Sequence, residues 1–187
     1  MALRPRSRLG TSSKGCPVAT QTIKIPGRDM TRIVVLAVGH PKTPGLDEAR
    51  GEYERRLVHY FRFEAAEVPA ASLPDERAGE ARTREAKKLI QRIPDDLNLV
   101  ALTRTGKPWS TQKLTEYLHD IQTYGHKGAV FIIGGAHGLD SDLLQRARIK
   151  MSLSPMTLPH GLARLLITEQ LYRTGTILRG EPYHKGP

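Results

Sequence analysis

The chain has 187 residues, with 29 Lys and Arg against 19 Asp and Glu, for a formal net charge of +10. That length suits one domain with a full core, and no apolar run reaches the roughly 18 residues that a transmembrane helix needs. A single cysteine, Cys16, excludes an internal disulfide framework and a thiolate metal cluster and fits a reducing, cytoplasmic setting, while the basic balance favours a polyanionic partner, nucleic acid first.

Residues 1–29 carry six basic side chains against the single acid Asp29, a net +5, and the other +5 lies on 30–187. This first segment has little apolar periodicity and is rich in Ser, Thr, Gly and Pro, so it is expected to be a disordered basic extension. Its Arg-rich, acid-poor composition also describes an organelle transit peptide, but an extension without a fold role is favoured, with the domain at 30–187.

From Met30 onward, strands and helices alternate. Arg32–Val38 (RIVVLAV) reads as a strand buried on both faces, ended by Gly39-His40-Pro41. Tyr53, Leu57, Tyr60 and Phe61 then fall at helical spacing. Residues 63–69 are expected to form a second strand, 78–93 a charged helix stopped by Pro94, and 98–103 a third strand. Thr105-Gly106-Lys107-Pro108 is turn chemistry. After it, Ser110 or Thr111 can cap a helix that presents Leu114, Tyr117, Leu118 and Ile121 on one face. Residues 129–133 (AVFII) give the strongest strand signal. A short helix to Arg148 capped by Asp140 or Ser141, a fifth strand at 150–154, a helix at 161–178 and a polar tail complete the chain. The expected class is therefore α/β, a mostly parallel sheet with helices on both faces. In such sheets, ligands bind beyond the carboxyl ends of the strands.

Two turns there stand out. Gly134-Gly135-Ala136-His137-Gly138 follows the AVFII strand without the GxGxxG spacing, and it reads equally as a structural turn or a ligand loop. Ser154-Pro155-Met156-Thr157-Leu158-Pro159-His160 is stiffened by its two prolines. Such a loop holds backbone groups ready for a small ligand, with Met156 and Leu158 able to flank a flat ring, or else it is a rigid connector. His160 opens the last helix, where the dipole favours a neutral imidazole. With no HExxH or Cys/His cluster, no metal is expected. The last helix is apolar nearly all round, yet it keeps Arg164, Glu169 and Arg173. A buried charge without a partner is costly, so these residues are expected to meet each other, a second chain or a ligand.

Taken together, FIIGGAHGLD, LSPMTLPHGLARLLITEQLYR and GEPYHK, with VVLAVG and LTRTGKPWST upstream, resemble the ribosomal RNA large subunit methyltransferase H family of the SPOUT superfamily. The resemblance runs from Met30 to Lys185 and leaves 1–29 outside. It implies a SPOUT methyltransferase domain with a deep trefoil knot near its C-terminus, a homodimer, and S-adenosylmethionine as cofactor. The implied activity is methylation of N3 of a pseudouridine in 23S ribosomal RNA on the ribosome, in the cytoplasm. Carried over by motif, the cofactor positions are Leu102, Gly134, Leu153, Ser154, Pro155, Met156, Thr157 and Leu158. Among the residues expected to act on the base, His184 handles the N3 proton, Tyr183 stacks and Arg173 orients or meets phosphate. The tail is expected to reach the cofactor pocket of the other subunit. Two departures stand out: Thr103 where relatives often have an acid, and Thr174-Gly175 where a small-aromatic pair is usual, which is expected to bend or weaken the last helix. A SPOUT enzyme acting on transfer RNA is a rival reading, disfavoured by the absence of an added RNA-binding domain. A ribosome-binding protein without catalysis is another.

Overall fold

The structure, a computed structural model, describes residues 30–39 and 43–184. The expected disordered extension at 1–29, together with His40, Pro41 and Lys185, lies outside the described residues. Five parallel strands form one sheet in the order β2-β1-β4-β3-β5: β1 Arg32–Val38, β2 Arg62–Val68, β3 Asn98–Pro108, β4 Gly128–Ile133 and β5 Ile149–Ser152. The helices are α1 Leu46–Leu57, α2 Ala78–Ile90, α3 Thr111–Thr123, α4 Ser141–Arg146 and α5 His160–Leu178.

The continuous β-branched runs occupy the middle of the sheet, where both faces are covered. Along β1, Ile33, Val35 and Ala37 join one core with Phe131 and Ile133, under Leu57 of α1, Leu118 of α3 and Ile167 of α5. Val34, Leu36 and Val38 join the other core with Val130 and Ile132, under Leu89 of α2 and Leu143 of α4. The period of two along each strand divides the side chains between these cores.

Capping follows the polar residues at the helix starts. The Ser110 hydroxyl accepts from the Lys113 amide at 3.1 Å, and the Asp140 carboxylate accepts from the Asp142 amide at 2.9 Å. Gly125, at φ 72°, follows the end of α3 with a backbone conformation that a side chain would resist. Two boundaries differ from expectation by more than two residues. Helix α2 stops at Ile90, with the backbone turning before Pro94. The expected turn at 105–108 lies inside β3: Leu102 and Lys107 both pair with Met151, so residues 103–106 form an excursion before the ladder resumes. Gly106 permits this, since a β-carbon there would lie 2.7 Å from the Lys150 carbonyl.

Helix α5 lies on the sheet between α1 and α3, which is why it is apolar nearly all round. Its buried Arg164 is held by Glu67 and, at 3.2 Å, by Glu54. Burial pulls this guanidinium below its ordinary pKa, and Glu54 opposes that pull. The expected bend at Thr174-Gly175 is absent: α5 runs unbroken to Leu178, and Tyr60 packs on Gly175.

Candidate active site

Strand register alone gathers one set of candidate residues. Leu102 pairs with Ile133 on one side and Met151 on the other. The chain therefore departs from the ladder at Thr103, where the excursion within β3 begins, and leaves the neighbouring strands β4 and β5 at their carboxyl ends, at Gly134 and Leu153. Leu102, Gly134 and the loop 153–158 converge as the parallel-sheet rule anticipates.

The glycine turn is shaped by its own chain. A β-carbon on Gly134 would stand 2.6 Å from the Gly138 carbonyl carbon, and the Gly138 amide donates to the Gly135 carbonyl at 3.0 Å. Gly135 faces a buried carboxylate: a β-carbon there would be 2.9 Å from Glu85 Oε2. Glu85 is 4% exposed, and its Oε1 accepts from the Ala71 amide at 2.9 Å. It thereby braces the loop after β2 against the turn after β4. Helical spacing could have singled out Glu85, which lies one turn from both Ala81 and Leu89 on the buried face of α2, whereas Glu80, the other acid of the helix, lies off that face.

The proline loop is open. Its Ser154 carbonyl accepts from the Ser152 hydroxyl at 2.8 Å, and the Met156 amide donates to the Ser154 hydroxyl at 3.0 Å. Residues 153–158 make no other hydrogen bond among the described residues, so most of their backbone donors and acceptors are free. Met156 is 73% exposed, a large apolar side chain held out on a stiff loop. At the loop's end, the His160 imidazole lies beside Gly39, at the close of β1.

The second set of candidates lies at the other end of α5. The Arg173 guanidinium pairs with Glu169 one turn earlier, at 2.8 Å, and stands 4.9 Å from the centre of the Tyr183 ring. That ring meets Tyr172 edge-on at 4.7 Å, and its hydroxyl lies 3.2 Å from the Tyr53 hydroxyl. Burial, the Tyr53 contact and the Glu169 charge push the Tyr183 phenol well above its ordinary range, so it stays neutral at physiological pH. The tail is fastened a second time by the Tyr60 hydroxyl, which donates to Glu181. His184 closes a short 3₁₀ turn, Pro182–His184, and its side chain lies outside the described residues. The sequence reading found Tyr183 but missed Tyr53 and Tyr60, since partners more than 100 positions away leave no local signal.

Among the described residues, no three His, Cys, Asp or Glu side chains converge as a metal site, and no helix is long and apolar enough to cross a membrane.

Comparison with known proteins adds to this geometry. A probable methyltransferase from Bordetella pertussis has the same fold, with a TM-score of 0.51 and 14% identity over 78% of this chain and 97% of that one. The two chains thus share an α/β fold with a parallel sheet. A family model described as "Predicted SPOUT methyltransferase" matches residues 31–184. The ribosomal RNA large subunit methyltransferase H of Gemmatimonas aurantiaca is 40% identical over 154 residues, 82% of this chain and 99% of that protein. Its namesake from Acetivibrio thermocellus is 38% identical over 158 residues, again 82% of this chain and 99% of the relative. The chain belongs to the SPOUT methyltransferase family and is an RNA methyltransferase by that kinship.

Proposed function

We propose that this protein transfers a methyl group from S-adenosylmethionine to N3 of a pseudouridine in 23S ribosomal RNA, on the ribosome, in the cytoplasm and as a homodimer. The observation that carries the reading is the near-complete span of its likeness to the large subunit methyltransferase H proteins, with the shared motifs falling on loops that converge.

The residues fit the cofactor. Free backbone groups of 153–158 suit the polar edge of a purine, and Met156 and Leu158 suit its flat faces. Leu102 and Gly134 bound the same space. When bound, S-adenosylmethionine supplies an electrophilic methyl group on a sulfonium. The nucleophile is the imide N3, which is weak while it holds its proton. For N3 to act as a nucleophile, that proton would have to be removed. His184 is assigned to take it, and Arg173 and Tyr183 hold the tail in place. The neutral Tyr183 phenol is suited to packing and hydrogen bonding rather than to acting as a base.

A length supports the homodimer. Arg173 is thirteen residues beyond His160 on α5, roughly 20 Å at 1.5 Å per residue, whereas methyl transfer needs reacting atoms within about 3.5 Å. One protomer therefore keeps its tail cluster far from its own cofactor loop, and a second copy that brings its tail to that loop completes the site.

The test is mass spectrometry of ribosomal RNA from cells lacking the protein, before and after adding it back with S-adenosylmethionine to their purified ribosomes. An unmethylated pseudouridine that gains one methyl group is the expected result. Failure of the purified protein to release heat with S-adenosylmethionine in calorimetry would leave only an RNA-binding role.

A further inference from the structure

Most cations of the fold are matched by acids. Arg32 pairs with Glu64, Arg50 with Asp47 and Glu54, Arg56 with Glu52, Arg84 with Glu80, Lys113 with Glu116 and Lys127 with Asp96. Among the described residues, the largest group of cations outside this pattern lies in one region. Residues 97–115 contain no Asp or Glu, and neither do residues 143–168. These two acid-free segments are brought together by the pairing of β3 with β5. There, the side chains of Arg104, Lys107, Arg146, Arg148 and Lys150 are all exposed and make no ion pair or hydrogen bond among the described residues.

The fold compacts these five cations. Arg104 rides on the excursion 103–106 that follows Leu102. Lys107 lies opposite Met151, next in chain to Lys150, whose carbonyl presses on Gly106. Arg146 and Arg148 lead directly into β5. The strip is continuous with the candidate methyl-donor site, since Leu102 precedes Arg104 by two positions and Leu153 follows Lys150 by three.

Like charges gathered without counter-charges raise the free energy of the isolated protein. They are released from that repulsion by a polyanion whose charges are spaced along a line. Resting on the reading above, we propose that the β3–β5 edge is the surface that grips the RNA phosphodiester backbone, with the Arg104–Lys107 excursion and the Arg146–Lys150 approach as its two banks. Arg104 supplies a planar fork for phosphate oxygens, and Lys107 and Lys150 supply compact point charges. Gripping the backbone here fixes the RNA beside the cofactor loops without reading its bases.

The test compares two full-length triple variants of equal charge, R104Q/K107Q/K150Q on this edge and R82Q/K87Q/K88Q on α2. Binding to purified ribosomes from cells lacking the protein is measured across a salt series, with S-adenosylmethionine affinity measured by calorimetry. Each lost phosphate contact lowers the slope of log K against log salt by about 0.7 to 0.9, so the edge variant is expected to lose about 2 from the slope. It is also expected to bind at least tenfold more weakly at low salt, with unchanged cofactor affinity, while the α2 variant retains the wild-type slope. Equal losses in both triples would reduce the effect to net charge and overturn the proposal. An edge variant that aggregates yet keeps the wild-type slope would also overturn it, leaving these cations the task of blocking edge-to-edge strand pairing. If wild-type protein methylates the ribosomes while the edge variant's slope is unchanged, only the surface assignment falls. If wild-type protein neither binds nor methylates them, the functional reading falls with it.

Discussion

The ring of Tyr60 rests on the backbone of Gly175: a β-carbon at that position would lie 2.7 Å from Tyr60 Cγ. Thr174-Gly175 is therefore a packing solution, in which an aromatic ring from just beyond α1 lies against the bare face of α5. Gly175→Ala should destabilise the protein by about 1–3 kcal/mol through overpacking, against a helix-propensity gain of about 1 kcal/mol. In a Tyr60→Ala background the same change should be neutral or stabilising, and urea unfolding of the four members of that cycle measures the difference.

Arg164 is 5% exposed and joins Glu67 of β2 and Glu54 of α1 to α5. Arg164→Met should cost about 1.5–3 kcal/mol, because two partly buried carboxylates lose a charged hydrogen-bond donor and are left with Arg50. Replacing all three residues with apolar ones of similar volume should recover much of that loss. Chemical denaturation of the single and triple variants tests this.

Glu85 and Gly135 are in van der Waals contact, and Glu85 is also the acceptor for the Ala71 amide. Glu85→Ala should lower stability by about 1–3 kcal/mol by orphaning that amide. Gly135→Ala should loosen the turn and weaken S-adenosylmethionine binding in calorimetry, and the double variant should bind better than Gly135→Ala alone.

Met156, 73% exposed, is attached to little else in the chain. Met156→Asp should leave the unfolding midpoint nearly unchanged, within about 0.5 kcal/mol, yet reduce cofactor affinity at least tenfold. Equal affinity in the two proteins would remove Met156 from the pocket.

Burial raises the Tyr60, Tyr117 and Tyr183 phenols, Tyr117 to about 12, with the charges of Glu181 and Glu169 adding to the shift at Tyr60 and Tyr183. Above the ordinary value of 10.0 the unfolded chain loses these protons and the folded chain keeps them. The unfolded state is therefore favoured progressively as pH rises past 10. An ultraviolet titration of phenolate should show these three tyrosines ionising together with unfolding.

Strand existence and class were legible because the β1 and β4 runs, RIVVLAV and GAVFII, are buried on both sides and leave no other reading. The caps were legible to within one residue, as Ser110 or Thr111 and Asp140 or Ser141, and the structure uses Ser110 and Asp140. The extent of β3 was not, because Gly106-Lys107-Pro108 has turn chemistry, and only the approach of β5 makes it strand. The loops holding Leu102, Gly134 and Leu153 could be found in the sequence from their positions after strands, but their convergence needed the strand order.

By itself, the sequence determined the alternation of strands and helices, the proline-stiffened loop and the charge that calls for a polyanion, since each depends on neighbours within a few positions. Tertiary structure alone decided the partners of Arg164 and Glu85, the Tyr60–Gly175 contact and the gathering of five unpaired cations on one edge. Those depend on residues tens to more than a hundred positions apart, where the energy of a contact is set by three-dimensional proximity and local burial that no linear spacing encodes.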